Sequence, residues 1–541
     1  MREWDALTES GRFQAEAPDL SPDGPSLVSA TLRDWMDSHA AGAGDRIACV
    51  GPHGATTYRS LHASALALAS RLHSLGVARG DVIAVQLPNG FEFLLSYLAA
   101  GYVGAILQTV HMPYRAAEIV PLLQHSRAKL LICLSRIGDF NPTELVLLNR
   151  DKLPDIAAVM AVGSDVPEGA IAFDASKEVS HGALDERPNP SDNFLLLYTS
   201  GTTAAPKGVP ISYQKFLTNA RHSAPELGVG AATILLSGAP FTHLYGIFSI
   251  NLALSQGATI AILPVFTPKA LVGAIESLRP TGIFVAPAHV AACLNDGLLT
   301  ENSLASLNFA LISGSVCPPD LAHSLQRLMP AGAVCQLWGM SEMQAGTFTR
   351  PGDPEDIRLT TAGRATPGTE IRVLDDTGET CIDAEGELQT RGLSVFDGYL
   401  SNSQATKDAF TADGWFRTGD LAEIDARGNI KITGRMKEVI NRGGVKFNPA
   451  DVEAAICLHP AVDSCAIVPM PDPVLGERAC CFMVTQPNAT VGLDEIKSWL
   501  AEKNIAKNKW PERIELIAEM PMTPTRKIKK AELTALAAGF R

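Results

Sequence analysis

Residues 198–209 read YTSGTTAAPKGV, a crowd of hydroxyls, a glycine and one lysine placed directly after the apolar run FLLL at 194–197. The apolar run suits a buried strand, and a turn of this composition at its end is a candidate phosphate cradle. Gly201 can adopt backbone geometry closed to other residues, so successive N–H groups and the hydroxyls of Thr199, Ser200, Thr202 and Thr203 can converge on phosphate oxygens. Lys207 supplies a charge. It is followed by Gly208, where a Walker P-loop needs a Ser or Thr to hold magnesium, so a different nucleotide fold is implied. On spacing alone the stretch is equally compatible with a plain surface turn.

Outward from this loop, helix and strand signals alternate. Residues 60–75 form an amphipathic helix closed by Gly76, and residues 82–87 an apolar strand ended by Pro88. Residues 91–102, 130–133 and 157–162 continue the pattern, which predicts a layered α/β domain with helices covering sheets. Between Glu226 and Lys269 no Asp, Glu, Lys or Arg occurs. Pro240, His243, Gly246 and the break at 255–257 argue against a membrane span and for strand, helix and strand buried in a large domain. Past Arg364 the texture changes to short strands with Gly and Asp turns, as in VLDDTG at 373–378 and IDARG at 424–428, which suggests a small β-rich subdomain. Beyond residues 434–437 a helix at 449–458, strands at 464–469 and 479–485 and a helix at 493–503 make a credible small α+β domain. The expected division is therefore 1–434 and 435–541.

A chain of 541 residues is too long for one core. Its net charge of −13 argues against a general nucleic-acid partner, with Arg526, Lys527, Lys529 and Lys530 as a local exception. The ten cysteines show no metal spacing and fit reduced thiols. The opening MREWD lacks the apolar core of a signal peptide and the closing AGFR carries no sorting tag, so a cytoplasmic location is the expectation. The oligomeric state stays open.

The loop resembles the phosphate loop of the adenylate-forming superfamily, which comprises acyl- and aryl-CoA synthetases, the adenylation domains of peptide synthetases, and luciferases. The resemblance spans nearly the whole chain. In the family's order come HLYG at 243–246, SGS at 313–315, WGMSE at 338–342, Gly363 to Gly368 and GEL at 386–388. Tyr399, WFRTGD at 415–420, GRMK at 434–437 and PMTPTRK at 521–527 follow. It implies two half-reactions: a carboxylate attacks the α-phosphate of ATP to give acyl-AMP and pyrophosphate, and a thiol then displaces AMP. The first step needs no general base, because a carboxylic acid is already ionised near pH 7. It needs positioning and charge neutralisation, so magnesium (Mg2+) and lysines are expected.

Residue by residue, the resemblance implies that Glu342 binds magnesium and that Ser341 contacts the α-phosphate. Trp338 would lie against the adenine, with the backbone at Gly314 and Ser315 on the opposite face, and Gly339 and Met340 next to it would serve both the nucleotide and the acyl pocket. Asp420 and Arg435 match the pair that grips the ribose hydroxyls. Lys527 corresponds to the catalytic lysine of a mobile small domain, Lys437 to its hinge, and Gly443 and Gly444 to the strip of backbone lining the CoA tunnel. His243 matches the gate at the tunnel's inner end. With Leu244, Tyr245, Gly246, Ala286 and Ala288 it outlines a mostly small, apolar acyl pocket, suited to a bulky aliphatic, alicyclic or plain aryl acid. Leu244 stands where dihydroxybenzoate-activating relatives commonly carry Asn, which disfavours a catechol acid. Two departures concern loop geometry: Arg526 and Ala204 replace usual glycines.

The expectation is thus an ATP-dependent carboxylate:CoA ligase with ATP, Mg2+ and CoA as cofactors. One alternative is an acyl-AMP ligase that passes its product to a carrier protein or a separate CoA ligase. Another is a non-catalytic nucleotide-binding module, which the presence of Lys207, Glu342 and Lys527 opposes. A luciferase has no positive feature beyond the shared fold.

Overall fold

A computed structural model describes residues 25–52, 54–175, 184, 186–199, 206–443, 445–503, 505–523 and 527–540. The fold is mixed α/β, and its chain divides into two compact units. The first comprises residues 1–370 and 390–416, and the second residues 371–389 and 417–541.

Two sheets organise the first unit. Among the described residues one runs, in spatial order, Ile171–Ala172, Ala158–Val162, Leu130–Leu134, Val82–Gln86, Ile106–Thr109, Asn193–Thr199 and Lys207–Ser212. All pairs are parallel except the last, the hairpin that carries the candidate cradle. Val82–Gln86 is buried at every position, as a strand covered on both faces should be, and this is why its sequence reads as a continuous apolar run. The second sheet runs Arg364–Ala365, Gln344–Phe348, Ala333–Met340, Phe309–Ile312, Gly282–Val285, Ile234–Ser237, Thr259–Ala261, Ile47–Gly51 and Gly54–Thr57.

The uncharged stretch 227–268 forms the strand Ile234–Ser237, the helix Leu244–Gln256 and the strand Thr259–Ala261, as its sequence suggests. That helix is buried along almost its whole length and ends at Gly257 in the left-handed conformation, φ 64°. Among the described residues no helix is long and apolar enough to cross a membrane.

The short strands expected after Arg364 appear as a four-stranded sheet of Thr369–Leu374, Glu385–Gly392, Phe416–Ile424 and Ile430–Arg435. The second unit also holds a mixed sheet in which Gly476–Thr485 pairs with Val462–Asp472, Ile440–Arg442 and Arg513–Leu516. Helices Ala450–Cys457 and Leu493–Glu502 cover it around a core that includes Val452, Ile456, Ile467, Cys481 and Leu500.

Candidate active site

The candidate cradle hangs from a hairpin whose last paired residues are Thr199 and Lys207, directly opposite each other. Ser200, Gly201, Thr202, Thr203 and Ala204 lie outside the described residues, so the mouth of the loop is defined by its two ends. At one end the Lys207 ammonium sits over the Tyr399 ring, 4.6 Å from its centroid. Gly208 is where the neighbouring segment crosses: its carbonyl accepts from the Leu400 N–H at 2.8 Å, and a Cβ there would come within 3.1 Å of Leu400.

Tyr399 then connects the cradle to the predicted metal ligand. Its hydroxyl donates to Glu342 Oε1 at 3.0 Å. Burial, together with the Glu342 charge, raises the Tyr399 hydroxyl far above the ordinary phenol range, which keeps the proton in place for this bond. Glu342 is 7% exposed, and its backbone carbonyl accepts from the Phe396 N–H at 2.7 Å. Sequence reasoning singled out Tyr399 without giving it a role; the structure makes it the link between a lysine and a carboxylate 135 residues apart in sequence (342 − 207).

Glu342 and Ser341 occupy a tight turn between the strands Ala333–Met340 and Gln344–Phe348. Trp338 is buried opposite Thr347, and a bulge follows it at Gly339. A Cβ on Gly339 would overlap the Gln344 carbonyl, and one on Gly346 would press on the Trp338 ring, so both glycines serve close packing here. Met340 pairs with Gln344, which itself takes φ 67°.

The parallel register sets Val285 beside Ile312 and Ile312 beside Gln336. Ala286, Gly314 and Trp338 therefore emerge side by side at the carboxyl ends of three neighbouring strands, the usual place for ligands in such sheets. Gly314 has φ 99°, and a Cβ on it would lie 3.9 Å from that of Ala286. Ser315 is exposed on the same loop, and Ala288 is exposed in the first turn of the helix Pro287–Asn295.

His243 caps the helix Leu244–Gln256, its Nδ1 accepting from the Tyr245 N–H at 3.2 Å. Leu244 and Tyr245 are buried, and the Tyr245 hydroxyl donates to the Leu311 carbonyl at 2.6 Å, so that ring is anchored to the sheet beneath. Gly246 lies in the first turn of the same helix. A Cβ there would overlap the Pro240 carbonyl, so the position is fixed by backbone packing of the helix start on the preceding loop.

His111 is a residue sequence reasoning missed. It follows the strand Ile106–Thr109, stacks on His243 with ring centroids 6.3 Å apart, and shares a hydrogen bond of 3.1 Å between Nδ1 and Thr242 Oγ1. Burial lowers its imidazolium to about 4, so it is neutral near pH 7. The available signal was a histidine two residues past a buried parallel strand.

In the second unit Asp420 and Arg435 face each other across the strands Phe416–Ile424 and Ile430–Arg435, with Nε 3.1 Å from Oδ1. Asp420 is 7% exposed at its side chain and Arg435 53%, so the carboxylate is held by the fold and the guanidinium is accessible. Lys437 is exposed in the short 3-10 turn Met436–Glu438. Gly443, at φ 62°, donates its N–H to the Leu475 carbonyl at 2.8 Å, whereas Gly444 lies outside the described residues. Lys527 is exposed, and its N–H donates to Thr523 Oγ1 at 3.0 Å; Arg526 lies outside the described residues.

Among the described residues no group of three or more Asp, Glu, His or Cys side chains could hold a metal ion by itself. One buried carboxylate, Glu342, fits magnesium, which is commonly held by one or two carboxylates together with substrate phosphates.

Residues 36–400 match the model of the AMP-binding enzyme family, and residues 451–527 that of the AMP-binding enzyme C-terminal domain. This chain belongs to the AMP-binding enzymes. Similar members include the medium-chain fatty-acid–CoA ligase of Escherichia coli K12, 31% identical over 93% of this chain and 89% of that one. Another is the salicylyl-CoA synthase / salicylate adenylyltransferase of a Streptomyces species, 30% identical over 95% of this chain and 94% of that one. Among solved structures, the anthranilate CoA ligase AuaEII in complex with anthranoyl-AMP has the same fold, with a TM-score of 0.83 at 23% identity, covering 95% of this chain and 98% of that one. As an AMP-binding enzyme of this fold the protein is an adenylate-forming ligase.

Proposed function

We propose that this AMP-binding enzyme joins a hydrophobic monocarboxylic acid to CoA through acyl-AMP, releasing pyrophosphate. The observation that carries the reading is the connected set Lys207, Tyr399 and Glu342. It brings one cation, one buried anion and the Thr199 end of a hydroxyl-rich loop to a single mouth. A nucleoside triphosphate has chemistry matched to that set: its phosphates take the lysine and the loop, and a carboxylate shares a divalent cation with them.

In this reading Thr199, Lys207 and the loop between them hold the phosphates, with Ser341 at the α-phosphate. Trp338, Gly339, Met340, Gly314 and Ser315 bound the base. Asp420 accepts from the two ribose hydroxyls beside Arg435, since a carboxylate offers enough lone pairs for both. Glu342 holds magnesium, which when bound neutralises charge on the phosphates. The acid attacks as its carboxylate, and Lys527 offsets the charge that gathers on the reacting oxygens. We assign the working boundary to residues 434/435, with Lys437 as hinge, Gly443 and Gly444 along the path of the thiol, and His243 as its gate. Leu244, Ala286, Ala288 and the ring of Tyr245 provide apolar surface for the acid, and with Gly246 no charge that would pair with a second carboxylate.

The two relatives act, by their names, on a fatty acid and on salicylate at nearly equal identity, so likeness alone does not choose the acid. The test is incubation with ATP, magnesium, CoA and a panel of graded carboxylic acids, read by mass spectrometry. Acyl-CoA from a bulky hydrocarbon acid is the expected product. Acyl-AMP accumulating while CoA stays unused would favour the acyl-AMP ligase reading, and no pyrophosphate from any acid would favour a binding module.

A further inference from the structure

The basic run near the C-terminus is not uniform. Lys527 and Lys529 are exposed, whereas Lys530 turns inward, with its side chain 17% accessible. Its ammonium lies 2.6 Å from Glu438 Oε2 and 2.9 Å from Glu453 Oε1. Glu453 belongs to the helix Ala450–Cys457, is 16% accessible, and also accepts from the Ile467 N–H at 2.5 Å. Glu438 closes the turn Met436–Glu438, one residue after Lys437. Removing three charges from water is costly, and replacing such a group by apolar residues often stabilises a protein, so net stability is a weak reason for its presence. Geometry offers a better one.

On the other side of Lys530 the chain is held by short bonds. The Lys529 N–H donates to the Pro521 carbonyl at 2.8 Å, Met522 bridges Ile528, and the Thr523 N–H donates to the Lys527 carbonyl at 2.7 Å. With the Lys527 N–H on Thr523 Oγ1, these bonds tie residues 521–523 and 527–529 together next to the residue that carries the inward-turned ammonium. We propose that Lys530 is a positioning residue: through Glu438 and Glu453 it fixes Lys527 and its described neighbours to the segment of Lys437, so that displacement at Lys437 carries Lys527 as one piece. This rests on the reading of Lys527 and Lys437 given above, and the test separates the two.

Glu438→Gln keeps the shape and removes one charge, and Lys530→Arg keeps the charge. In the full-length protein, hydrogen exchange at the Thr523 and Lys527 amides is expected to quicken about tenfold in Glu438→Gln, the scale of losing one charge-assisted bond, while the strands Val462–Asp472 and Gly476–Thr485 stay protected. Adenylation kcat should fall about tenfold with KM for ATP unchanged, and thiolysis of supplied acyl-AMP should persist. Lys530→Arg should retain most of the adenylation rate. In a Lys527→Ala background, Glu438→Gln should add no further loss, because both act through one side chain. Unchanged exchange at Thr523 and Lys527 would overturn the proposal, as would equal losses in both half-reactions that add in the double mutant. Faster exchange together with an inert Lys527→Ala would keep the mechanical link and remove Lys527 from the chemistry.

Discussion

Lys207 and Lys527 carry the same charge and are assigned to the same reaction, yet the fold treats them differently. Lys207 starts a strand in register with Thr199 and lies over a tyrosine whose hydroxyl holds the buried Glu342. Its setting is part of a sheet edge. Lys527 is exposed, its N–H donates to Thr523 Oγ1, and three residues on, Lys530 reaches two carboxylates of its own unit. Groups that must always face a ligand are built into rigid elements, whereas a group needed in one step can sit on a turn of separate local stability. The contrast yields a rule: substitutions in the first setting should disturb folding or every activity, and those in the second should remove one half-reaction from a stable protein.

Within the first unit the largest effect is expected at Glu342. Glu342→Gln keeps an acceptor for the Tyr399 hydroxyl and removes the charge, so adenylation should fall by about 10² with a raised magnesium requirement. Titration of ATP–pyrophosphate exchange with magnesium checks this, and an unchanged magnesium curve with full rate would remove Glu342 as the ligand. Gly246→Ala comes next. One methyl group must push aside the Pro240 carbonyl, and a loss of about 2 kcal/mol in urea unfolding is expected, with activity per folded molecule falling as the helix start shifts. A variant as stable as the parent would contradict this packing role of Gly246.

A smaller effect concerns His111, which titrates at about 4 when folded against an ordinary 6.5. Between those values the unfolded chain binds more protons, so the native state loses stability as pH falls through that window. His111→Gln should flatten the slope by on the order of 1–2 kcal/mol between pH 7 and 4.5. Parallel unfolding curves for parent and variant at both pH values would contradict the neutral, buried assignment.

Much of this was legible in the sequence for physical reasons. Strands covered on both faces read as continuous apolar runs, and the uncharged stretch 227–268 could only be interior, so the layered α/β core followed directly. The order of the motifs is what proposes roles for Glu342, Asp420 and Lys527 although they lie far apart along the chain. What escaped reading was pairing across distance. A charge run gives no sign of which lysine turns inward, and the partner that turns Lys530 lies 92 residues away at Glu438. Tyr399 likewise shows its purpose only when Lys207 and Glu342 stand on either side of it. Gly246 shows its packing against Pro240 only in the structure, because a glycine kept for a crossing carbonyl and a glycine kept for space look identical in sequence.

The most direct measurement is Lys527→Ala assayed in the two half-reactions separately, with thermal unfolding alongside. ATP–pyrophosphate exchange with the preferred acid should drop by about 10² or more, the scale of losing one preorganised charge donor. Thiolysis of synthetic acyl-AMP by CoA should proceed near the parental rate, with the unfolding midpoint unchanged. Near-normal exchange, or an equal loss in both half-reactions, would contradict the account.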